Sequence, residues 1–181
     1  MAHSDTHVHE SDPACAVAHG EAAPPQGDRV LVAVFASPVA GYLLRYGADL
    51  GYRGILLEPD LDLAEKVRAE EPAFEVTGSP PAGLDGTADV VVTDHHRSEL
   101  GPVLRDLLAY PPRWIGVMGK PYHPAPHEVA LAELGVPPET VARVHRPIGL
   151  NIGSRTPPEI AVATLAGLIA DRNGRPGGFA F

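Results

Sequence analysis

The sequence predicts an α/β fold of three layers around a mostly parallel sheet of five or six strands. Three observations carry this. From Arg29 onward, short apolar runs alternate with amphipathic helical stretches. The apolar runs are continuous rather than alternating, as in strands covered on both faces. The helical stretches also carry their own stop and start signals, among them Gly51, Asp60, Gly135 and Thr156.

Val30–Phe35 (VLVAVF) is the first strand and Val39–Leu50 the helix behind it, with Leu43, Leu44 and Leu50 inward and Gly51 as its stop. Gly54–Leu57 is the second strand, ending at Glu58, and Asp60 is placed to cap a helix over Leu61–Ala69. Phe74–Thr77 is a short third strand, and Val90–Thr93 a fourth that runs into Asp94, His95 and His96. Leu100–Ala109 is helical and is broken by Pro111 and Pro112. Trp114–Met118 is the fifth strand, closed by Gly119, and His127–Leu134 and Pro138–Arg143 are further helices. The last helix opens with Thr156-Pro157-Pro158-Glu159, a capping box with proline at its first position. Ile160, Leu165, Leu168 and Ile169 supply its buried stripe before Asn173-Gly174.

The first 28 residues have a different texture: Ala, Pro, Gly, Asp and His without an apolar period. Such a stretch buries too little apolar surface to offset its ordering entropy, so it is expected to be a disordered, His-rich tail and linker, with the folded domain over 29–181. His3, His7, His9 and His19 lie there with Asp5, Glu10, Asp12 and Cys15. Such tracts bind divalent transition metals weakly, but the incidental reading is the simpler one and no metal site is assigned. With 14 basic against 23 acidic residues and a net charge of -9, the chain repels phosphate backbones, which argues against nucleic-acid binding. No apolar run has the roughly 20 residues of a membrane span, and the N-terminus does not read as a signal peptide. A single cysteine fits a reducing compartment, and a cytoplasmic location is expected.

In a parallel sheet, ligands bind beyond the C-terminal strand ends, and this singles out the four loops after Phe35, Leu57, Thr93 and Met118. The loop after the first strand stands where a dinucleotide fold carries G-x-G-x-x-G, yet it reads Ala36, Pro38 and Gly41 with Ser37 between. Ala36 adds a methyl group and Pro38 removes a donor, so a plain turn is favoured. Glu58 stands where an acid would grip a ribose, although a solvated glutamate is the simpler reading. Thr93, Asp94, His95 and His96 offer acid/base or metal chemistry, with helix capping by Asp94 as the alternative. Gly116, Gly119 and Lys120 form the third candidate, where glycine admits a ligand to the backbone and Lys120 receives an anion; an ordinary turn is the alternative. Gly149, Asn151, Gly153 and Arg155 form the fourth, either an anion cradle on the last helix or a connection that needs positive φ.

Taken together, Ile115–Gly119 (IGVMG), Ala142–Ile152 (ARVHRPIGLNI) and Gly153–Ala161 (GSRTPPEIA) resemble the C-terminal, Rossmann-like domain of the XdhC/CoxI family. The resemblance runs from about Arg29 to Asn173, and PIGLNIGSRTPPEIA is its most specific part. Thr93–His96 is similar to the family's T-H-D-H-like strand end with the middle order changed. The family's aspartate in GLDIG is Asn151 here, and the tail stands in place of the family's separate N-terminal domain. No family role is carried onto Cys15, which lies in that tail.

The resemblance implies an accessory protein for molybdenum hydroxylases such as xanthine or carbon monoxide dehydrogenase. It implies binding of molybdenum cofactor and help with its sulfuration and insertion. The expected partners are then a hydroxylase apoenzyme and a cysteine desulfurase. Thr93–His96, Gly116, Gly119, Lys120, Gly149, Asn151, Gly153 and Arg155 are the expected cofactor-binding residues, with Ser37, Gly41 and Glu58 as weaker ones. A non-catalytic chaperone is therefore weighed against two alternatives. One is an NAD(P)-dependent oxidoreductase, which the eroded glycine pattern opposes, so that weak or absent NAD(P) binding is expected. The other is a degenerate protein-docking module.

Overall fold

The computed structural model describes residues 13–22, 28–120 and 125–178. Six strands, β1 (Arg29–Val34), β2 (Tyr52–Leu57), β3 (Glu75–Thr77), β4 (Ala88–Val92), β5 (Trp114–Val117) and β6 (Val144–His145), form one sheet in the order β3-β2-β1-β4-β5-β6. Every pairing is parallel. This is the doubly wound order, and the direction of winding reverses between β1 and β4. β6 was not legible as a strand, because Val144 and His145 are too short a run to carry a period.

The helices are α1 (Pro13–Ala18), α2 (Pro38–Asp49), α3 (Leu61–Glu70), α4 (Leu100–Leu108), α5 (Pro126–Glu133), α6 (Pro138–Val141) and α7 (Pro157–Arg172). Side chains of each strand alternate between two faces. Val32, Val34, Val90 and Val92 pack with Leu104 and Leu107 of α4 and Leu131 of α5. Leu31 and Val91 pack with Leu43 of α2 and with Ala161, Leu165 and Leu168 of α7. Ala33 and Leu56 meet Ala40 and Leu44 of α2. Each fully buried Leu or Ile contributes about 1.5–3 kcal/mol, so these two layers supply most of the driving force. None of the described helices is long and apolar enough to cross a membrane.

α1 corrects the expectation of a tail without structure. Pro13-Ala14-Cys15-Ala16-Val17-Ala18 joins proline at the first helical position to residues of high helix propensity. Gly20 then takes a φ of 74°, and the Glu21 N–H donates to the Ala16 carbonyl at 2.8 Å, closing the helix. The rest of the expected tail, residues 1–12 and 23–27, lies outside the described residues.

At the N-terminal end of the sheet, the fully buried Asp89 organises a charge network that sequence reading missed. It accepts from Tyr52 Oη at 2.9 Å, Arg113 Nε at 2.6 Å and Arg172 Nη2 at 2.9 Å. Arg113 also pairs with Asp171 at 2.5 Å. Burial and the Asp89 carboxylate push the Tyr52 hydroxyl above its usual range. These residues tie β2, β4, β5 and the end of α7 together on the edge opposite the four loops.

Candidate functional site

β1 ends in a backbone that only a specific environment holds. Phe35 is fully buried with a φ of 70°, and its N–H still donates to the Leu57 carbonyl at 2.8 Å. The Arg97 guanidinium lies 4.9 Å from the centre of its ring. Arg97 in turn grips Glu58 with two contacts, Nη1 to Oε2 at 3.2 Å and Nη2 to Oε1 at 3.0 Å. Glu58 is 0% exposed and Arg97 18%. Glu58 also accepts from the Ala36 N–H at 2.7 Å and the Asp60 N–H at 2.9 Å.

Glu58 is thus neither solvated nor open to a ribose, and both expectations for it are corrected. Its carboxylate already fills the acceptor position that a phosphate oxygen would take on the Ala36 amide. The cause is the strand order: β2 and β4 flank β1, so their following loops close over its end from both sides. Arg97 also pairs with Glu99 at 2.9 Å, which holds the Glu99 carboxyl down to about 2.

Ser37 is similarly engaged. Its Oγ accepts from the Ala40 N–H at 3.1 Å as the cap of α2 and donates to Thr93 Oγ1 at 2.9 Å. Thr93 Oγ1 also bonds the Val34 and Phe35 carbonyls, so the first and fourth strand ends are locked to each other. Gly41 sits inside α2, where an added Cβ would meet only the Arg45 side chain at ordinary contact distance.

On the other side of the β1/β4 reversal a cleft of about 720 Å³ opens. Thr93, His95, His96, Met118, Gly119 and Lys120 form its strand-end wall. Val39, Pro126, Ile148, Leu150, Ser154, Ile160, Ala163 and Thr164 complete it. The cleft is therefore mostly apolar, with polar groups gathered at the ends of β4 and β5. The His95 and His96 rings lie side by side, with centroids 4.1 Å apart and their planes tilted by 39°. Asp94 does not cap α4; its Oδ1 accepts from the His96 N–H at 2.9 Å and sets this turn.

The glycines do other work than expected. Gly116 lies within β5, where a Cβ would overlap Trp114 and come within 2.6 Å of Ile148 Cγ2. It makes room for packing, not for a ligand. Gly116→Ala is expected to cost about 1–3 kcal/mol of stability, measured by urea unfolding. A Cβ at Gly119 would press on the Arg146 guanidinium, with Nη2 at 2.5 Å. Gly149, at a φ of 80°, rests on the α7 backbone 3.1 Å from the Ala163 carbonyl, so the helix and not a ligand takes the space.

The anion cradle proposed for the start of α7 is also corrected. Pro157 and Pro158 have no N–H to offer. Glu159 turns back to accept from the Arg155 N–H at 2.7 Å and the Thr156 N–H at 3.0 Å, and these bonds hold its carboxyl below the usual range. Asn151, Gly153 and Arg155 are exposed and are not among the residues that line the cleft.

Sequence reading missed the apolar walls and two residues behind the strand ends. His127 of α5 is 2% exposed, its Nδ1 has no hydrogen-bond partner among the described residues, and burial pushes its pKa below the ordinary imidazole value. Arg146 stands against Gly119, next to the cis Arg146–Pro147 bond. A lone histidine at the start of a helix and an arginine before a proline carry no signal until β5 and β6 are paired. Pro121–Pro124, beyond Lys120, lie outside the described residues, and no group of three or more metal-ligating side chains occurs among the described ones.

The order of strands, the bonded fingerprint loop and the cleft beside it define a Rossmann-type domain with an open cleft beyond β4 and β5. Residues 31–168 match the XdhC Rossmann domain, and the chain belongs to that family. It is 34% identical over 104 residues to the uncharacterized protein YqeB of Escherichia coli K12, a match covering 58% of this chain and 19% of that protein. A crystal structure described as a xanthine dehydrogenase from Bacillus halodurans superposes with a TM-score of 0.63 at 21% identity, over 84% of this chain and 45% of that one. The chain thus spans less than half the length of either relative.

Proposed function

We propose that this domain holds molybdenum cofactor for a molybdenum hydroxylase of the xanthine or carbon monoxide dehydrogenase type, as an accessory protein rather than as the hydroxylase. The single observation that carries this is the position of the open cleft. It has an apolar floor for a flat ring system, and Lys120 brings a positive charge to the strand-end wall. His95 and His96 bring imidazoles to the same wall, where they would face the pterin. Molybdopterin, a fused ring system with a terminal phosphate, suits such a cleft. Against a dinucleotide stand the Ala36 amide, already bonded to Glu58, and the missing donor at Pro38. Family membership supports an accessory role, and a hydroxylase apoenzyme and a cysteine desulfurase follow as its partners.

Lys120→Ala is expected to weaken molybdopterin retention by about 1.5–3 kcal/mol, roughly ten- to 150-fold, through loss of a charge-assisted bond. Arg155→Ala, a change outside the cleft lining, is expected to change it much less. The check is retention of molybdopterin after gel filtration, read as its fluorescent oxidised form. Equal retention by wild type and Lys120→Ala would remove Lys120 from the site.

A further inference from the structure

We propose that the ring of His127 and the guanidinium of Arg146 form a seat for the phosphate group of the cleft's ligand, at the end of β5 beside Lys120. This seat rests on the reading that the cleft takes a phosphate-bearing molecule, and it adds two residues from behind the cleft wall to hold the charged end. Pro126 lines the cleft and opens α5. His127, the next residue, stands at the same helix start but inside the protein, 2% exposed. Its Nδ1 has no hydrogen-bond partner among the described residues. A buried polar atom without a partner is costly and rare in folded proteins, so it marks a place where a further group belongs.

The charges around the ring decide which group that is. Burial lowers its proton affinity most, Glu128 of the same helix raises it, and Arg146 and His95 lower it further. Arg146, which follows β6, and His95, which lines the cleft after β4, are therefore both within electrostatic reach of the ring. The Arg146 guanidinium is seated against the end of β5, since a Cβ on Gly119 would come within 2.5 Å of Nη2 and 2.6 Å of Nε. Lys120 follows Gly119 in the cleft wall. The positive end of the α5 dipole points to the same place, and its cap residue Ala125 makes no side-chain bond to the helix start. A metal cation would meet the repulsion of this guanidinium, and the described residues hold no group of three or more side chains to bind one. An anion instead offers an acceptor to the imidazole N–H, and it offsets the repulsion that holds the ring neutral. A terminal phosphate has the charge and the several acceptor oxygens to meet the imidazole, the guanidinium and the ammonium together.

The test is an NMR titration of the full chain, carrying isotope-labelled histidine, with inorganic phosphate at neutral pH. Phosphate should shift the His127 imidazole nitrogens saturably, and chloride at equal ionic strength should not. This titration needs no variant, because His127 is assigned through its backbone neighbours. Arg146→Gln, which keeps hydrogen-bonding capacity without the charge, should weaken the phosphate affinity by at least about tenfold. An unmoved His127 signal in the wild type, or unchanged phosphate affinity in a folded Arg146→Gln, would overturn the seat. Retention of molybdopterin by a wild type whose His127 ignores phosphate would overturn the seat alone. A saturable His127 shift without retention of molybdopterin would support the seat and sink the cofactor reading.

Discussion

Asp89→Ala is expected to lower the free energy of unfolding by about 3–5 kcal/mol, because it removes the buried anion that Arg113 and Arg172 share. Removing the shared carboxylate leaves Arg172 and Arg113 partly desolvated with one acceptor fewer, Arg113 keeping Asp171, and the Tyr52 hydroxyl loses its acceptor too. Both arginines keep about a fifth of their side chains in water, which places the effect toward the low end of that range. Urea denaturation at neutral pH measures it directly. Asp89→Asn should cost less, since an amide oxygen still accepts from Tyr52. A loss below about 1 kcal/mol for Asp89→Ala would mean that the network contributes little, as exposed pairs do.

The second large effect is expected at Glu58. Glu58→Ala strips the buried one of two carboxylates from the Arg97 guanidinium, and the acceptor from the Ala36 and Asp60 amides, and should also cost about 3–5 kcal/mol. Because Arg97 and Glu58 touch, their effects should not add: Arg97→Met should cost clearly less in the Glu58→Ala background than in the wild type. Additive losses in that cycle would contradict the pairing. Emptying the Ala36 amide should not by itself create a dinucleotide site, because Pro38 still lacks its donor.

Which parts of this were legible in the sequence follows from what a linear pattern carries. The apolar runs at Val30–Phe35 and Val90–Thr93, and the Thr156–Glu159 box, name β1, β4 and α7 locally, and the parallel sheet follows from their alternation. The same alternation puts the loops after β4 and β5 at the C-terminal edge of the sheet. Thr93, His95, His96, Gly119 and Lys120 do meet around one cleft.

The roles within those loops were not legible, because they depend on pairing across the sheet. Glu58 reads as a surface acid until β2 is placed beside β1 and Arg97 comes over Phe35. Gly116 and Gly149 look like openings for a ligand until Trp114, Ile148 and the α7 backbone fill them. The capping box is legible in Thr156–Glu159, but its effect on the helix start is not. Two prolines and a returning glutamate leave that helix start without spare donors.

The central claim is that this Rossmann domain binds in the cleft beyond β4 and β5, with its dinucleotide position filled from within. Parallel equilibrium binding of molybdopterin and NADPH to the wild-type chain tests it most directly. Molybdopterin should bind, weaken in Lys120→Ala and be indifferent to added NADPH, while NADPH itself should show no saturable binding at micromolar concentrations. Micromolar NADPH affinity, or displacement of molybdopterin by NADPH, would contradict it.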